Sequence, residues 1–251
     1  MTPYIFNDII QGIMKKKIVY WIKKQLKESG ARGIVLGLSG GIDSSVAAAL
    51  AKEAAGRKRV LGVFLPCHSH KEDLKHAKAI AAKLGIKTKL LDLSAIYDNL
   101  LKILPGAGKT AKVNLKPRLR MLALYYFANK LNYLVCGTGN RSELMVGYFT
   151  KHGDGAVDIL PIGGLLKEEV RKLAGELAIP KEIIDRVPTA GLWAGQTDEG
   201  EMGVLYPELD DILRRLKNKK KQALSPKKVN KIKEMIRRSE HKRQGPRICC
   251  V

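Results

Sequence analysis

The chain has 251 residues, 45% of them hydrophobic, and a formal net charge of +22. That length is enough for one large α/β domain with a buried core, and the hydrophobic fraction is typical of a soluble globular protein. No run approaches the ~20 apolar residues that a membrane-spanning helix needs, and the N-terminus lacks the basic-then-apolar order of a signal peptide. We therefore expect a cytoplasmic protein with no membrane partner. The excess of Lys and Arg suits polyanionic small substrates, and it suits nucleic acid as well.

Strand-like and helix-like segments alternate along the chain. Apolar residues recur at a helical period in some segments, and short Val-, Ile- and Leu-rich runs bounded by Gly or Pro are typical of strands. The pattern predicts strands at 34–38, 59–65, 88–91 and 133–136, helices at 3–29, 43–56, 72–84, 95–104, 119–131, 167–177, 183–186, 207–216 and 226–239, and loops at 146–166 and 188–203. This alternation indicates an α/β fold with a parallel sheet flanked by helices. We expect a single domain over 1–251, with basic C-terminal helices at about 205–243.

The stretch from Leu36 to Ala49 is typical of a strand, a tight turn and the start of a helix. An apolar run leads into Ser39-Gly40-Gly41, and Asp43 stands before an alanine-rich segment. Adjacent glycines permit a sharp bend and leave no side chain between their N–H groups and a ligand. The unpaired N–H groups of the next helix, at the positive end of its dipole, point to the same place. Such a loop binds phosphate, although a simple capped turn would use similar residues.

A second cluster follows the predicted strand at 133–136. Gly137-Thr138-Gly139-Asn140 supplies a turn and a hydroxyl, and Glu143 stands at the start of a helix. Taken alone, Asn140 and Glu143 fit a helix capping box. Because ligands of parallel sheets bind beyond the carboxyl ends of the strands, we expect both clusters to face one crevice. Asp43 and Glu143 would then offer two carboxylates to magnesium beside bound phosphates.

A decoy lies at 106–110. Gly106-Ala107-Gly108-Lys109-Thr110 ends like the Walker A motif, G-x-x-x-x-G-K-[ST], of nucleotide-binding proteins. Ile103, however, stands where that motif requires its first glycine. No strand precedes it. We expect a flexible loop that is a poor phosphate site.

The cysteines and histidines do not form a metal-ligand pattern. His68 and His70 have no third ligand within reach along the chain. No C-x-x-C spacing occurs among Cys67, Cys136, Cys249 and Cys250. We expect free thiols and no metal centre built from these residues.

Residues 39–45, S-G-G-I-D-S-S, resemble the pyrophosphate loop of the ATP pyrophosphatases, which split ATP between its α and β phosphates. Within that group the chain resembles the ammonia-dependent NAD synthetases. Residues 137–170 are similar to that family's G-T-x-N-x-S-E…G-Y-x-T-x-x-G-D…D-x-x-P…K signature, residues 188–199 to its P-T-A-x-L…Q-x-D-E block, residues 114–121 to N-x-x-x-R-x-R-M, and His241-Lys242-Arg243 with Pro246 to its C-terminal block. The resemblance covers nearly the whole chain and implies the Rossmann-like fold of the adenine nucleotide alpha hydrolase class.

The resemblance also implies roles for individual residues. It implies that ATP is bound by Gly37, Leu38, Ser39, Gly40, Gly41, Ile42, Asp43, Ser44, Thr138, Lys167 and Thr189. Mg2+ would be held by Asp43 and Glu143. The second substrate, deamido-NAD (nicotinic acid adenine dinucleotide), would be bound by Arg118, Lys151, Asp158, His241 and Lys242. Asp43, Lys167 and Thr189 are the residues expected to act in catalysis.

The implied activity is that of a ligase in the last step of NAD biosynthesis. ATP-dependent amidation of deamido-NAD with ammonia would give NAD, AMP and pyrophosphate through an adenylated intermediate. The resemblance to a synthetase leaves no segment for a glutaminase, so free ammonia is the expected nitrogen source, and a separate glutaminase subunit is the alternative. The resemblance implies a homodimer, with the N-terminal helix as a candidate interface element.

RNA binding is the alternative from another class of function. From Arg214 to Arg243 the chain has fourteen Lys and Arg against two Glu. A tRNA-modifying ATP pyrophosphatase would use such a patch for phosphate contacts, and a solvated basic face over a core-facing stripe would give the same pattern. The block at 188–199 has no role in a tRNA-thiolating enzyme, so nucleic acid is the less favoured partner.

Overall fold

The computed structural model describes residues 3–193, 195–218 and 225–249, with side chains from residue 12 onward. Within these residues lie four parallel strands, β1 (Gly33–Gly37), β2 (Val60–Phe64), β3 (Lys87–Leu90) and β4 (Tyr133–Val135). They form one sheet in the order β3-β2-β1-β4. Ile34 lies opposite Val60 on one side and Leu134 on the other. The predicted parallel sheet is therefore confirmed, and the strand ends differ only slightly from the predicted ones.

Helices connect and cover the strands. In the described part of the chain they are α1 (Pro3–Ser29), α2 (Ile42–Ala55), α3 (Lys71–Leu84), α4 (Ser94–Ile103), α5 (Lys109–Val113), α6 (Leu115–Leu131), α7 (Arg141–Val146), α8 (Lys167–Glu176), α9 (Lys181–Ile184), α10 (Asp198–Met202), α11 (Tyr206–Lys217), α12 (Pro226–Arg238) and α13 (Glu240–Arg243). None of them combines the length and the hydropathy that a membrane crossing requires.

Three short helices depart from the sequence prediction. The segment at 106–110 is not wholly a loop, because α5 begins at Lys109. The predicted loop at 188–203 contains α10, which begins where the Thr197 hydroxyl accepts the Gly200 N–H at 3.2 Å. The C-terminal α13 lies within the predicted helical region at 205–243 but beyond the end of the helix predicted at 226–239. Each has one turn or little more, too short to show a helical period in the sequence.

The sheet is covered on both faces because its side chains alternate. Ile34 and Leu36 of β1 pack in the core cluster that contains the alanine-rich α2. Val35 points to the opposite face, where it packs with Tyr97 of α4 and Ala128 of α6. The small alanines let α2 lie close to the strands, so the start of this helix is held firmly at the end of β1.

The strand order creates a crevice between β1 and β4. From β1 the chain crosses to β2 on one side, and β4 later joins β1 on its other side. Beyond β1 the backbone stays extended, because the Leu38 N–H donates to the Val63 carbonyl at 2.9 Å. Beyond β4 the Gly137 N–H donates to the Ile159 carbonyl at 2.8 Å. Both predicted loops therefore open at the carboxyl edge where the connections diverge, as ligand sites of such sheets do.

Candidate active site

A cavity of about 700 Å³ lies at this edge of the sheet. Its wall includes the loop after β1, the Gly137–Gly139 turn after β4, and the segment from Arg186 to Trp193. A volume of this size suits a small-molecule ligand. The two sequence clusters thus face one space, as the sequence predicts.

The loop after β1 presents backbone N–H groups to the cavity. Gly41 is the N-cap of α2, and among the described side chains none caps this helix. The first intrahelical bond runs from Ser45 N–H to the Gly41 carbonyl at 3.2 Å, and the Gly41 N–H donates to the Ser39 hydroxyl at 3.2 Å. The N–H groups of Ile42, Asp43 and Ser44 therefore have no acceptor within the helix. The hydroxyls of Ser39 and Ser44 lie 3.0 Å apart and brace the loop from within. Unpaired N–H groups at a helix N-terminus are suited to phosphate oxygens.

Gly40 contributes to the packing of the loop rather than to the cavity wall. It does not line the cavity, and its backbone has φ +80. A Cβ at this position would lie 2.3 Å from the carbonyl oxygen of Asp73 in α3. The glycine is required because the loop bends sharply and packs directly on the backbone of the next helix.

Three charged side chains meet beside the loop. Lys167 Nζ lies 2.6 Å from Asp43 Oδ2 and 3.1 Å from Glu143 Oε1. The lysine is only 2% exposed, whereas both carboxylates line the cavity. The predicted proximity of Asp43 and Glu143 is therefore observed. Lys167 stands behind them and does not line the cavity, so its direct contact with ATP stays a prediction.

Asn140 connects the two loops. Its Nδ2 donates to Asp43 Oδ1 at 3.1 Å, while its Oδ1 accepts the Glu143 N–H at 3.0 Å. Asn140 and Glu143 form the capping box of α7. Glu143 can therefore take part in the helix cap and also belong to a metal site. Its backbone N–H takes part in the cap, while its Oε1 lies in the charged cluster, in contact with Lys167.

Tyr206 and Asp198 complete the charged cluster, although sequence reasoning gave them no role. The Tyr206 hydroxyl lies 3.0 Å from Glu143 Oε1 and 3.0 Å from Asp198 Oδ2. Asp198 is buried, and its Oδ1 has no partner among the described residues. Asp198 lies in the predicted Q-x-D-E block, so a signal was present, but its meeting with Tyr206 depends on tertiary packing.

The environment of this cluster shifts its protonation. Burial raises the pKa of Glu143 to about 7, against the opposing effect of the Lys167 ammonium. Burial would lower the pKa of Lys167, but Asp43 and Glu143 outweigh it and the pKa is raised. Burial also raises the pKa of Asp198. Lys167 therefore remains charged, and the cluster holds more carboxyl groups than cations.

The position of Lys167 is fixed through its backbone. Its N–H donates to the Ser142 hydroxyl at 3.0 Å. Ser142 in turn donates to Asp210 Oδ1, while Asp210 Oδ2 accepts the Glu168 N–H at 2.9 Å. Asp210 of α11 thus accepts the Glu168 N–H directly and holds the Lys167 N–H through Ser142. These hydrogen bonds pair the first N–H groups of α8 and fix the helix with Lys167 Nζ between the two carboxylates.

The predicted threonine contacts lie on the cavity wall. Thr138 and Thr189 both line it, as do Gly37, Leu38, Ser39, Gly41, Ile42, Asp43 and Ser44. The Thr189 hydroxyl accepts the Gly191 N–H at 3.1 Å, which shapes the segment that crosses the cavity. Their contacts with ATP stay predictions.

Four of the five residues predicted to bind the second substrate lie side by side. Arg118 Nη2 donates to the Lys151 carbonyl at 3.4 Å, and Lys151 Nζ donates to the His241 carbonyl at 2.5 Å. Lys242 Nζ donates to the carbonyls of Gly147 and Phe149 at 2.8 and 2.9 Å. Of these four, Lys242 lines the cavity and the others lie outside its wall.

Asp158 has structural partners at the edge of the sheet. Its Oδ2 accepts the Val135 N–H at 2.7 Å, and its Oδ1 accepts the Tyr125 hydroxyl at 3.0 Å. Burial, together with this hydrogen bond, raises the pKa of Tyr125 to about 12. Asp158 does not line the cavity, so its role toward a substrate stays a prediction.

Three of the four cysteines and His68 have defined surroundings in the structure. Cys67 and Cys136 are buried and Cys249 is exposed, all as free thiols; Cys250 lies outside the described residues. His68 Nε2 lies 2.8 Å from Asp98 Oδ1 rather than in a ligand cluster.

The sheet, its switch point and the loop after β1 define a Rossmann-like α/β protein with a phosphate-binding loop. The sequence profile of the NAD synthase family matches residues 14–246. The chain belongs to that family.

Individual relatives agree with this membership. An NH(3)-dependent NAD(+) synthetase of Carboxydothermus hydrogenoformans is 46% identical over 93% of this chain and 95% of its own length. The structure of an NMN synthetase from Francisella tularensis is 38% identical, with a TM-score of 0.88, and the match covers 95% of this chain and 98% of that one. An NH3-dependent NAD synthetase from Campylobacter jejuni is 30% identical, with a TM-score of 0.83 over 95% and 99% of the two chains. The resemblance and the fold class stated from the sequence are confirmed.

Proposed function

We propose that this protein joins ammonia to deamido-NAD at the expense of ATP and yields NAD, AMP and pyrophosphate. The observation that carries the proposal is the uncapped N-terminus of α2 beside the paired carboxylates of Asp43 and Glu143. This arrangement suits a nucleoside triphosphate. The particular reaction is proposed because relatives of the chain are ammonia-dependent NAD synthetases.

The chemistry requires two successive substitutions. A carboxylate oxygen of the nicotinate attacks the α-phosphorus of ATP, and pyrophosphate leaves with the bonding electrons. The nitrogen lone pair of ammonia then attacks the activated carbonyl, AMP leaves, and the surplus proton passes to solvent or a base. Neither step needs a covalent bond to the protein. The chain would contribute by positioning both substrates and by stabilising phosphate charge with the N–H groups after Gly41.

Magnesium fits the paired carboxylates. Asp43 and Glu143 both line the cavity and offer hard carboxylate oxygens. Asp43 Oδ2 and Glu143 Oε1 face Lys167 Nζ, so one cation lies between two carboxyl groups. Across the described residues there is no group of three or more His, Cys, Asp or Glu that would hold a metal alone. A site of two carboxylates completed by substrate phosphates is the usual arrangement for Mg2+. When bound, Mg2+ would neutralise phosphate charge, while Lys167 keeps the two carboxylates in place.

We further propose a homodimer in the cytoplasm. Large apolar side chains are exposed on two helices: Tyr20 of α1 is 71% exposed and Leu122 of α6 is 67% exposed. Trp21 and Tyr126 lie on the same helices and are exposed as well. Exposed apolar side chains of this size favour burial against a second copy.

The assay uses purified protein with ATP, magnesium, ammonium and deamido-NAD. We expect NAD and AMP in equal amounts, with ammonium more effective than glutamine. Asp43→Asn should abolish AMP formation while the circular dichroism spectrum stays unchanged. AMP that appears only after RNA is added would contradict the proposal.

The similarity to an NMN synthetase supports a second candidate, in which the amide product is the mononucleotide NMN. Nicotinic acid mononucleotide and deamido-NAD should therefore be compared as substrates of the same preparation. A higher kcat/KM for deamido-NAD supports the first proposal, and the reverse order supports the second.

A further inference from the structure

The cation expected to meet the ATP phosphates does not face them. Lys167 is 2% exposed, and its ammonium contacts Asp43 and Glu143 from behind. The loop after β1 supplies N–H groups but no positive side chain. The outer phosphates of ATP carry more negative charge than one Mg2+ would neutralise, so a further cation on the cavity wall is favoured.

In the described part of the chain, four cationic side chains line this cavity: Lys109, Arg120, Arg186 and Lys242. Three of them are engaged elsewhere. Lys109 Nζ lies 3.9 Å from the centre of the Trp193 ring, Arg120 Nε donates to the Leu65 carbonyl at 3.1 Å, and Lys242 donates to two backbone carbonyls.

Arg186 differs from these three because its partner is itself a side chain on the cavity wall. Its Nη2 forms an ion pair with Asp73 Oδ1. The arginine side chain is 26% exposed, so a ligand can reach it. A guanidinium has five N–H donors in one plane, and the contact with Asp73 uses one nitrogen. The other donors have no hydrogen-bond partner among the described residues, so they can meet phosphate oxygens.

The ion pair of Arg186 with Asp73 lies beside the loop after β1. Asp73 belongs to the first turn of α3, whose backbone packs directly against Gly40. A Cβ on Gly191 would lie 3.9 Å from Asp73 Oδ2, so the segment that carries Thr189 runs past the same carboxylate. Arg186 therefore stands between the loop after β1 and Thr189.

We propose that Arg186 binds the outer phosphates of ATP and that Asp73 orients its guanidinium. This inference rests on the proposed function only in taking ATP as the nucleotide. Arginine is suited to the task because its planar donors match the geometry of phosphate oxygens, which the point charge of lysine does not. The role that the sequence assigns to a lysine is thereby shared with an arginine directly before the P-T-A block.

The test measures nucleotide binding without the second substrate, so that no reaction occurs. Affinities for ATP and for AMP are measured by calorimetry in the presence of Mg2+. We expect Arg186→Met to weaken ATP binding by about 10- to 100-fold, the loss typical of a charged hydrogen-bonded contact. AMP has no outer phosphates, so its affinity should be unchanged. Arg186→Lys should lie between, and Asp73→Asn should cause a smaller loss than Arg186→Met.

Arg171→Met is the matched control, because Arg171 is an exposed arginine on α8 that does not line the cavity. Its ATP affinity should equal that of the unaltered protein. Equal losses for ATP and AMP in Arg186→Met, or retention of ATP affinity, would overturn the proposal. If Arg186→Met does not fold, Arg186→Lys gives the same comparison of ATP with AMP. Failure of the proposed amidation would show instead as absence of NAD while the difference between ATP and AMP binding persists.

Discussion

At the scale of single residues, the ion pairs of Lys167 with Asp43 and Glu143 determine the charge of the candidate site. A buried ammonium is stable there only because Asp43 and Glu143 lie within 3.1 Å of it. Removal of one member of a buried ionic cluster leaves uncompensated charge, which typically costs about 3–5 kcal/mol. The cluster is therefore expected to contribute to both stability and activity.

Replacement of Lys167 by Met tests this view. We expect the free energy of unfolding to fall by about 3–5 kcal/mol and AMP formation to fall by roughly 100-fold, a loss typical of an electrostatic contact at a reaction site. Urea denaturation and the NAD assay measure the two effects. Lys172→Met is the control, since Lys172 pairs with Glu168 on the exposed surface of the same helix. Its effect should stay within about 0.5 kcal/mol. Equal stability of the two variants would contradict the expectation.

Tyr206 provides a second test at this scale. Tyr206→Phe removes the hydroxyl that Glu143 and Asp198 share and leaves Asp198 without that partner. An unsatisfied buried polar group costs about 1–3 kcal/mol, so the free energy of unfolding should fall by that amount. Tyr20→Phe is the control, because Tyr20 is exposed on α1. A Tyr206→Phe variant as stable as Tyr20→Phe would show that the hydroxyl is dispensable.

At the scale of elements, the junction between β1 and α2 depends on Gly40. An alanine there would require φ +80 and would place its Cβ 2.3 Å from the Asp73 carbonyl. We expect Gly40→Ala to lower stability by at least about 1–3 kcal/mol and to weaken ATP binding, because the loop must move away from α3. Thermal unfolding and calorimetry measure these effects. Gly106→Ala is the control, since a Cβ at Gly106 meets no atom within 4 Å. Similar behaviour of the two variants would contradict this account.

The elements differ in how far the sequence predicts them. The strands and long helices follow from apolar periodicity, and the loop after β1 follows from its two glycines. The contact of Lys167 with Asp43 joins residues 124 positions apart, so no local pattern contains it. Likewise Asp210 reaches the start of α8 from α11. The sequence therefore predicted residues that line the cavity, such as Asp43 and Glu143. It did not predict that Lys167 lies behind these carboxylates or that Arg186 lies on the cavity wall.

At the scale of the whole molecule, the high positive charge is partly offset where it is densest. Arg215 pairs with Asp211, and Lys228 pairs with Glu208. On α12, Glu234 contacts both Arg237 and Arg238. Within residues 206–218 and 225–243, carboxylates thus interrupt the basic helices and pair with several of their cations.

This surface predicts weak and salt-sensitive binding of RNA. We expect a fluorescent single-stranded RNA to bind at low ionic strength and to be released by about 0.2 M salt, because such contacts depend on counterion release. Synthesis of NAD without RNA should persist at that salt concentration. Tight RNA binding that survives there would favour the alternative function.

The apolar residues exposed on α1 and α6 lead to a prediction about assembly. If these helices form the interface of a homodimer, Trp21→Glu and Tyr126→Glu should shift the protein from dimer to monomer, because each would bury a charge in an apolar contact. Sedimentation velocity measures the species present, over a range of protein concentrations. Leu90→Glu is the matched control: Leu90 is exposed on β3, at the edge of the sheet opposite to β4, on which α6 packs. That variant should sediment like the unaltered protein. A monomer before any substitution would contradict the proposed dimer, and a dimer that survives both substitutions would place its interface on another surface.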